Sequence, residues 1–362
     1  QYNGIKLFST GKREATNAGK DLKLNSQGFL KDVEVRDTSS MQKLSEVDET
    51  QSLAQGEYSV STVDDLLKLD RMSKAKLVDA NSVFVLSNDI DLKEYCDANA
   101  STGGWAAISV TGTFDGNGYT ISNMTINRPS TSYVGLFASA KLVKNLKVEN
   151  AYVKAASYAG IIAGQGVKAS NCSVSGKISA GSIAGGILGY GYYVNVENCY
   201  ANVDITGNNS VGGIYGWANY SEITSCFSEG SIAGNYSIGG ICGASFDVYN
   251  SKSTVTVKGA GNVGGISGEA CRTLSGNAFS GVVRSSNTKA GGIVGSMTLA
   301  YNIRNCISEG KVYGNTLVGI IAGTASSSIG IMDCSYYSDS AGVADVVGDV
   351  SLFTITNLTD LT

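Results

Sequence analysis

Residues 211–216 read VGGIYG, with three glycines in six positions, and this hexamer returns along the chain. Close copies read AGGILG, IGGICG, VGGISG and AGGIVG, and looser copies read VGLFAS, AGIIAG and VGIIAG. The eight copies begin at residues 134, 159, 184, 211, 238, 263, 290 and 318, in steps of 25 to 28 residues. A repeat period of about 20 to 50 residues predicts a solenoid, a propeller or an array.

Each repeat contains three short apolar patches, rich in Ile and Val and separated by Gly, Asn and Ser. Such patches fit strands, whereas a helix needs about ten residues and disfavours so much glycine. Three strands per repeat make one coil of a parallel β-helix, and a propeller blade would need about 40 residues. We therefore predict an all-β fold: a right-handed parallel β-helix (solenoid) of about eight coils, with a small N-terminal cap that contains a short helix. The hexamer is then scaffold, because glycine permits tight corners and close backbone approach.

Charge and local pattern divide the chain into four predicted regions. Lys, Arg, Asp and Glu are dense up to about residue 80 and sparse from about residue 133 to 337. The regions are a charged N-terminal appendage with weak β-alternation (1–57), a cap with the first coils (58–132), the repeat β-helix (133–337) and a closing segment (338–362). STVDDLLKLD (61–70) predicts the helix, with Thr62 as N-cap and Asp65 in a capping box, before a first strand at Val83–Leu86.

The composition excludes several classes of function. The 362-residue chain has no histidine, which rules out Ser-His-Asp and Cys-His catalysis and the HExxH zinc peptidase site. The net charge of −4 argues against nucleic-acid binding, because no basic excess can neutralise phosphates. No apolar run reaches the ~18 residues of a membrane span, and any signal peptide or lipid anchor would precede Gln1. We predict no catalytic residue, no metal ligand and no cofactor.

Several motifs resemble a known repeat family. GGIVG…IRNCISEGKVYG at 291–314 is similar to the bacterial GLUG repeat, and VFVLSNDIDL (83–92), GGWAAI (103–108) and GTFDGNGYTISNMTI (112–126) look like its lead-in. The resemblance covers about residues 58 to 340. It implies an exported adhesin-like module, anchored at a bacterial outer membrane or secreted, of a kind also found upstream of the zinc peptidase domain in IgA1-protease-like proteins. This chain lacks a metalloprotease motif, so the resemblance implies only the non-catalytic repeat region, with a glycan or a host surface protein as partner.

Aromatic residues supply the predicted binding site. They occupy turn positions after three successive hexamers, those that begin at residues 184, 211 and 238. Rows of rings stack on sugars and also form hot spots in protein interfaces. Packing against the flank of the rod itself is the alternative. The predicted binding residues are Tyr190, Tyr192, Tyr193, Trp217, Tyr220 and Phe246.

Cysteine and asparagine recur in step with the hexamer. A column of small buried side chains with reduced thiols is the preferred interpretation, and stacked disulfides or a metal ladder are the alternatives. Asparagine tolerates a left-handed corner and can form a hydrogen-bonded ladder. The predicted cysteine column is Cys172, Cys199, Cys226, Ser251, Ala278, Cys306 and Cys334. The predicted asparagine column is Asn145, Asn171, Asn198, Asn250, Asn277 and Asn305, with Ser225 and Asp333 as substitutes.

Two acidic groupings offer further alternatives. FDGNG (114–118) with Asp89 and Asp91 has the oxygen atoms of a calcium site, although Asn-Gly ordinarily predicts a turn. Carboxylates in the turns after the hexamers could serve a carbohydrate-active β-helix enzyme, a polysaccharide lyase or hydrolase, which is the second hypothesis for function. These residues are Glu222, Asp247 and Glu269, with Arg272 nearby.

Overall fold

The computed structural model describes residues 33–298, 302–325, 330–336, 354–356 and 359–360. These residues form a right-handed parallel β-helix of about ten turns, which confirms the predicted fold class. Residues 1–32 of the predicted appendage and most of the predicted closing segment 338–362 lie outside the described residues.

A complete coil contains four strands, and the prediction of three was therefore wrong. In one coil the strands are Asn209–Gly212, Tyr215–Asn219, Glu222–Thr224 and Phe227–Ala233. The extra strand arises because the chain bends at Gly213 and Ile214, so that the hexamer is split between two strands. We name the four stacks of equivalent strands the hexamer, second, third and fourth columns, in their order along this coil.

Strands of one column pair in parallel with those of the next coil. The hexamer column holds the ends of Thr125–Val134 and Lys147–Ala159, then Ala184–Gly185, Asn209–Gly212, Tyr236–Gly239, Val263–Gly264, Ala290–Gly291 and Val318–Gly319. The second column holds Ile108–Ser109, Phe137–Ser139, Ala163–Gln165, Leu188–Tyr192, Tyr215–Asn219, the first halves of Cys242–Tyr249 and Ser267–Ser275, Val294–Met297 and Ala322–Ala325.

The other two columns extend further towards both ends of the rod. The third column holds Gln42–Lys43, Glu57–Val60, Val83–Leu86, Thr113–Asp115, Leu142–Lys144, Ala169–Ser170, Val196–Glu197, Glu222–Thr224, the second halves of Cys242–Tyr249 and Ser267–Ser275, Asn302–Arg304, Gly330–Met332 and Thr354–Thr356. The fourth column holds Ile90–Asp91, Thr120–Ser122, the first parts of Thr125–Val134 and Lys147–Ala159, Ser173–Ala180, Tyr200–Thr206, Phe227–Ala233, Lys252–Ser253, Thr256–Gly259, Ala278–Phe279, Val282–Ser285, Ile307–Ser308, Lys311–Tyr313, Ser335–Tyr336 and Thr359–Asp360.

The hexamer starts are in register from coil to coil, as the repeat period predicts. Val211 pairs with Ile238, and Ile238 pairs with Val263. The fourth residue of each hexamer points into the interior and is fully buried, so these side chains build a continuous apolar stack along the rod. The stack consists of Phe137, Ile162, Ile187, Ile214, Ile241, Ile266, Ile293 and Ile321.

Close contact between coils requires the hexamer glycines. A Cβ atom added to Gly213 would overlap the Gly240 carbonyl oxygen and lie 2.6 Å from Ser228 Cβ. A Cβ added to Gly216 would lie 2.5 Å from the Gly189 carbonyl oxygen. The glycines therefore serve packing between neighbouring backbones, as the scaffold interpretation requires.

The β-helix begins earlier along the chain than predicted. Gln42–Lys43 pairs with Glu57–Val60, which in turn pairs with Val83–Leu86. The strand at Val83–Leu86 is thus present, but it is not the first. Turns outside the hexamer region contribute strands to the other columns without a hexamer, so counting hexamers gave eight coils where the rod has about ten turns.

The predicted helix is confirmed as α1, Val63–Lys74, but it follows two strands of the β-helix and so does not precede the first coil as predicted. The Thr62 side chain accepts from the Asp65 backbone N–H at 3.0 Å, and the Asp65 carboxylate accepts from the Thr62 N–H at 3.1 Å, which completes the capping box. The buried face of α1 carries Leu66, Leu69 and Met72. The other helical segments are α2, Lys93–Ala98, and two 3₁₀ turns, Leu44–Glu46 and Ala100–Thr102. Neither helix of the described part has the length and apolarity that crossing a membrane requires.

Corners between the third and fourth columns adopt the left-handed conformation predicted for the asparagine column. Asn145, Asn171 and Asn198 have φ of 53°, 51° and 50°. The Asn171 side-chain amide donates to Asn145 Oδ1 at 3.2 Å, so part of the predicted ladder is present.

The predicted alignment of the asparagine and cysteine columns was wrong by one residue in a single repeat. Strand pairing aligns Ala278 with Ile307, the residue after Cys306. Asn277 therefore occupies the cysteine position, and Gly276, with φ of 68°, forms the corner. Because glycine adopts this conformation without a Cβ penalty, the asparagine that follows is free to turn inward.

Candidate binding surface

Aromatic side chains form a continuous surface on the outside of the second column. We call it the aromatic ridge. Its members come from five successive coils, so it extends over four interstrand spacings, roughly 19 Å. The ridge consists of Tyr133, Tyr158, Tyr190, Tyr192, Tyr193, Trp217, Tyr220 and Phe246.

One row of the ridge runs along the rod through four rings. Tyr133 and Tyr158 are stacked, with ring centroids 4.5 Å apart and an interplanar angle of 7°. Tyr158 contacts Tyr190 at 5.7 Å, and Tyr190 contacts Trp217 at 5.3 Å. Tyr190 and Trp217 are direct partners in the sheet, as their equal offsets from the hexamer predicted.

A second row joins the first because Tyr190 and Tyr192 project from the same strand. Tyr192 and Tyr193 both contact Tyr220, at 5.5 Å and 5.3 Å between centroids. Tyr220 packs on Phe246 at 4.4 Å. The six predicted residues therefore lie on one surface, with Tyr190 and Trp217 in the first row and the other four in the second.

Much of the ridge is open to solvent. Tyr192 and Tyr193 are 53% and 62% exposed, and Tyr220 is 47% exposed. Trp217 and Tyr133 are also exposed, whereas Tyr158, Tyr190 and Phe246 are half-buried. Rings that only sealed the flank of the rod would be buried by it, so the exposure favours an external contact.

Four ridge tyrosines sit in left-handed backbone that bulky residues rarely adopt. Tyr133, Tyr158, Tyr193 and Tyr220 have φ of 62°, 52°, 55° and 48°. Glycine or asparagine would occupy these corners at lower cost, since a strained non-glycine residue costs about 1 kcal/mol or more. The tyrosines are thus placed at a structural cost, which supports a role outside the fold itself.

The sequence prediction did not include Tyr133 and Tyr158. Both directly precede a hexamer start, at Val134 and Ala159, whereas the predicted rings follow the hexamer. The residue before the hexamer lies near the end of one strand, and the sixth residue after the hexamer start lies in the next strand. The two positions therefore meet only across the corner. A scan for aromatic residues on both sides of the hexamer would have found them.

Two phenols of the ridge have a raised pKa. The hydrogen bond with Tyr193 raises the pKa of Tyr192 above the ordinary tyrosine value. Burial raises the pKa of Tyr158. Neutral aromatic rings of this kind suit stacking on a neutral face of a ligand.

The candidate carboxylates do not converge on one point. Glu222 and Asp247 are partners in the third column, but Glu269 lies in the second column. The Asp247 carboxylate pairs with Arg272 at 3.2 Å and accepts from the Thr273 N–H at 3.1 Å. Only Glu222 and Asp247, of the three candidate carboxylates, are therefore adjacent. Both oxygens of Asp247 already accept from donors of the protein.

The FDGNG segment forms a turn rather than an open oxygen cage. Asn117 has φ of 51°, and buried Asp115 pairs with Arg36 at 3.0 Å and with Lys144 at 3.3 Å. Asp115 also accepts from the Asn145 side-chain amide at 3.0 Å. Two cations neutralise this carboxylate, so its electrostatic surroundings do not favour calcium. No group of three metal-ligating side chains occurs in the described parts of the chain.

The cysteine column is a run of free, buried thiols. All eight cysteines are free, and Cys271 alone among them is not fully buried. Cys199 contacts the thiols of Cys172 and Cys226, and its burial raises its pKa well above the ordinary value. At the aligned position Asn277 is satisfied internally, since its side-chain amide donates to a backbone carbonyl at 2.9 Å. A position that accepts Cys, Ser and Asn in this way is structural.

We expect the native protein to react slowly with thiol reagents. Because thiolates are the reactive species and burial raises the pKa of Cys199 and Cys242, at most one thiol, that of Cys271, should be titrated by Ellman's reagent at pH 8. All eight should react after denaturation. Titration of three or more thiols in the native protein would contradict the buried column.

Two known proteins are similar to this chain at low sequence identity. No family model matches the chain, so the resemblance to the GLUG repeat remains a prediction. Halomucin of Haloquadratum walsbyi (strain DSM 16790 / HBSQ001) is 29% identical over 145 residues, 36% of this chain, but the chain spans only 2% of halomucin's length. A crystal structure titled as a "putative immunoglobulin A1 protease" from Bacteroides ovatus aligns with a TM-score of 0.42 and 17% identity, covering 84% of each chain. Neither similarity assigns a family or an activity to this chain.

Proposed function

We propose that this protein is a non-catalytic binding module whose aromatic ridge stacks on a glycan. The observation that carries the proposal is the ridge itself, two adjacent rows of four contacting rings over five coils, with five of the eight rings exposed. Sugar rings have apolar faces, and a row of flat aromatic groups offers repeated stacking positions at fixed spacing. A rigid solenoid holds that spacing constant, which lowers the entropy that binding costs.

A glycan suits the ridge better than a protein partner. Protein hot spots are compact clusters surrounded by a rim that excludes water. The ridge is instead elongated: it has one row of rings towards each end and two rows on its two central coils, over a length of roughly 19 Å. An extended chain of sugar units matches this shape. Binding to a host surface protein instead of a glycan is the alternative outcome of the binding test.

We further propose that the chain is an exported GLUG-type surface or secreted protein of bacteria. The hexamer with its Asn-Cys marker and the lead-in motifs support this assignment. Burial of seven of the eight cysteines is compatible with an oxidising exterior, because buried thiols are inaccessible to oxidants.

The test is a binding screen on an array of mucin and polysaccharide glycans, followed by affinity measurements on the best ligand. The double variant Trp217→Ala/Tyr220→Ala removes two exposed rings at the centre of the ridge. We expect each ring to contribute about tenfold or more to affinity, so binding should fall by about a hundredfold. The melting temperature should be nearly unchanged, since both side chains are exposed.

Tyr152→Ala is the matched control, because Tyr152 is 41% exposed but lies in the fourth column, away from the ridge. Its affinity should equal that of the wild type. If the double variant loses stability instead of affinity, the rings serve packing. If the chain cleaves a polysaccharide and Asp247→Asn abolishes the cleavage, the enzyme hypothesis replaces the binding module.

A further inference from the structure

A cleft of about 500 Å³ lies away from the aromatic ridge, at the turns between the fourth column and the hexamer column. One wall of the cleft is a row of outward-facing side chains from consecutive coils. Lys258 is the sheet partner of Arg284, and Arg284 is the sheet partner of Tyr313. The turn residues Asn235 and Asn315 line it as well. No member of the ridge contributes to this cleft.

Two cations face this cleft without an acidic partner. Neither Lys258 nor Arg284 forms an ion pair with any residue that the structure describes. The chain as a whole is acidic, with a net charge of −4. The two adjacent unpaired cations therefore make the cleft locally positive. Neighbouring coils place the two residues about 4.8 Å apart along the rod, close enough for one anion to contact both side chains.

Tyr313 fixes one of these cations in place. The Arg284 guanidinium carbon lies over the Tyr313 ring, 4.5 Å from its centroid. A cation held against an aromatic face loses little further entropy when it binds an anion. The guanidinium N–H groups are left to donate in the fork geometry that matches a carboxylate.

The turns add uncharged acceptors beside the cations. The Asn235 side-chain amide donates to Asn208 Oδ1 at 2.6 Å, and the Asn315 amide donates to the Ser286 carbonyl at 2.8 Å. These bonds orient both asparagines, and their own Oδ1 atoms accept no hydrogen bond from the described residues. Amide oxygens fixed in this way accept hydrogen bonds from sugar hydroxyls.

We propose that this cleft binds a sugar that carries a carboxylate, such as a uronic acid unit of a polysaccharide. The carboxylate lies between Arg284 and Lys258. Asn235 and Asn315 lie three coils apart, roughly 14 Å along the rod, so hydroxyls of the flanking units of the same sugar chain donate to their amide oxygens. An acidic peptide would satisfy the cations but would offer few hydroxyls to the asparagines. A sugar chain carries more free donors for its length than a peptide does, so the paired cations and oriented amides favour an acidic sugar, and poly-glutamate is the competing probe.

The experiment compares oligogalacturonides with their methyl esters by isothermal titration calorimetry on the full chain. The two probes differ only in the charge of the carboxyl group. We expect the acid form to bind and the ester to bind about tenfold or more weakly, with affinity falling as salt rises. Arg284→Gln and Lys258→Gln should each lower affinity for the acid about tenfold, whereas the exposed Lys177→Gln, on a distant coil, should not change it.

Three outcomes would overturn the proposal. They are equal affinity for acid and ester, unchanged affinity in both cleft variants, and binding of poly-glutamate as tightly as the oligogalacturonide. Circular dichroism of each variant verifies the fold. Because the cleft and the ridge share no residue, Trp217→Ala/Tyr220→Ala should retain oligogalacturonide binding in the cleft. The two proposals can therefore fail separately. The ridge variant tests affinity for the array glycan, and the cleft variants test affinity for the oligogalacturonide.

Discussion

The Gly213→Ala variant should lose about 3 kcal/mol of unfolding free energy, a large effect for a single methyl group. The new Cβ would overlap the Gly240 carbonyl oxygen and press on Ser228 Cβ at 2.6 Å. The first obstacle is backbone of the next coil rather than a flexible side chain, so relief requires two coils to separate. In a solenoid the coupling between neighbouring coils supplies most of the stability, and a local separation weakens the whole rod.

Gly56→Ala is the matched control for this variant. A Cβ at Gly56 would meet only the Tyr58 ring, at 3.4 Å, which is ordinary contact. Chemical denaturation with circular dichroism should show less than about 1 kcal/mol of change for the control. Equal losses in the two variants would contradict the claim that the hexamer glycines are required by contact between coils.

Trp105→Ala should destabilise the protein by about 3 to 5 kcal/mol, because it empties a large space in the N-terminal coils. Trp105 is fully buried and contacts Tyr95 edge-to-face, with ring centroids 5.4 Å apart. Its indole N–H donates to the Leu136 carbonyl at 3.0 Å and so ties the lead-in segment to the first hexamer coil. The substitution removes that hydrogen bond together with the packing.

The chain's second tryptophan provides the comparison. Trp217 is 38% exposed on the ridge, so Trp217→Ala should cost less than about 1 kcal/mol. Fluorescence of the two single-tryptophan variants gives an independent readout: acrylamide should quench the protein that retains Trp217 strongly and the protein that retains Trp105 weakly. A larger stability loss for Trp217→Ala than for Trp105→Ala would contradict the assignment of Trp217 to a binding surface.

Spacing in the sequence predicted the elements that depend on a short local motif. The hexamer starts pair with one another in the structure, and Thr62 and Asp65 form the predicted capping box. Two of the errors in the prediction occurred where the sequence motif changes but the fold does not. Gly276 takes over a corner from asparagine, and the strands at Gln42–Lys43 and Glu57–Val60 form coils without a hexamer.

The amino-acid order alone was sufficient for the stacking of coils and for the inward position of Ile214 and its equivalents, because a fixed repeat places equivalent residues one above another. The folded rod was needed to bring Tyr133 and Tyr158 against Tyr190, and to join Arg284 with Tyr313 beside the turn asparagines. The contact of Tyr158 with Tyr190 and the approach of the turn asparagines to Arg284 cross corners, and both depend on the angle at which each coil turns. That angle is set by packing between whole coils, so no short stretch of sequence encodes it.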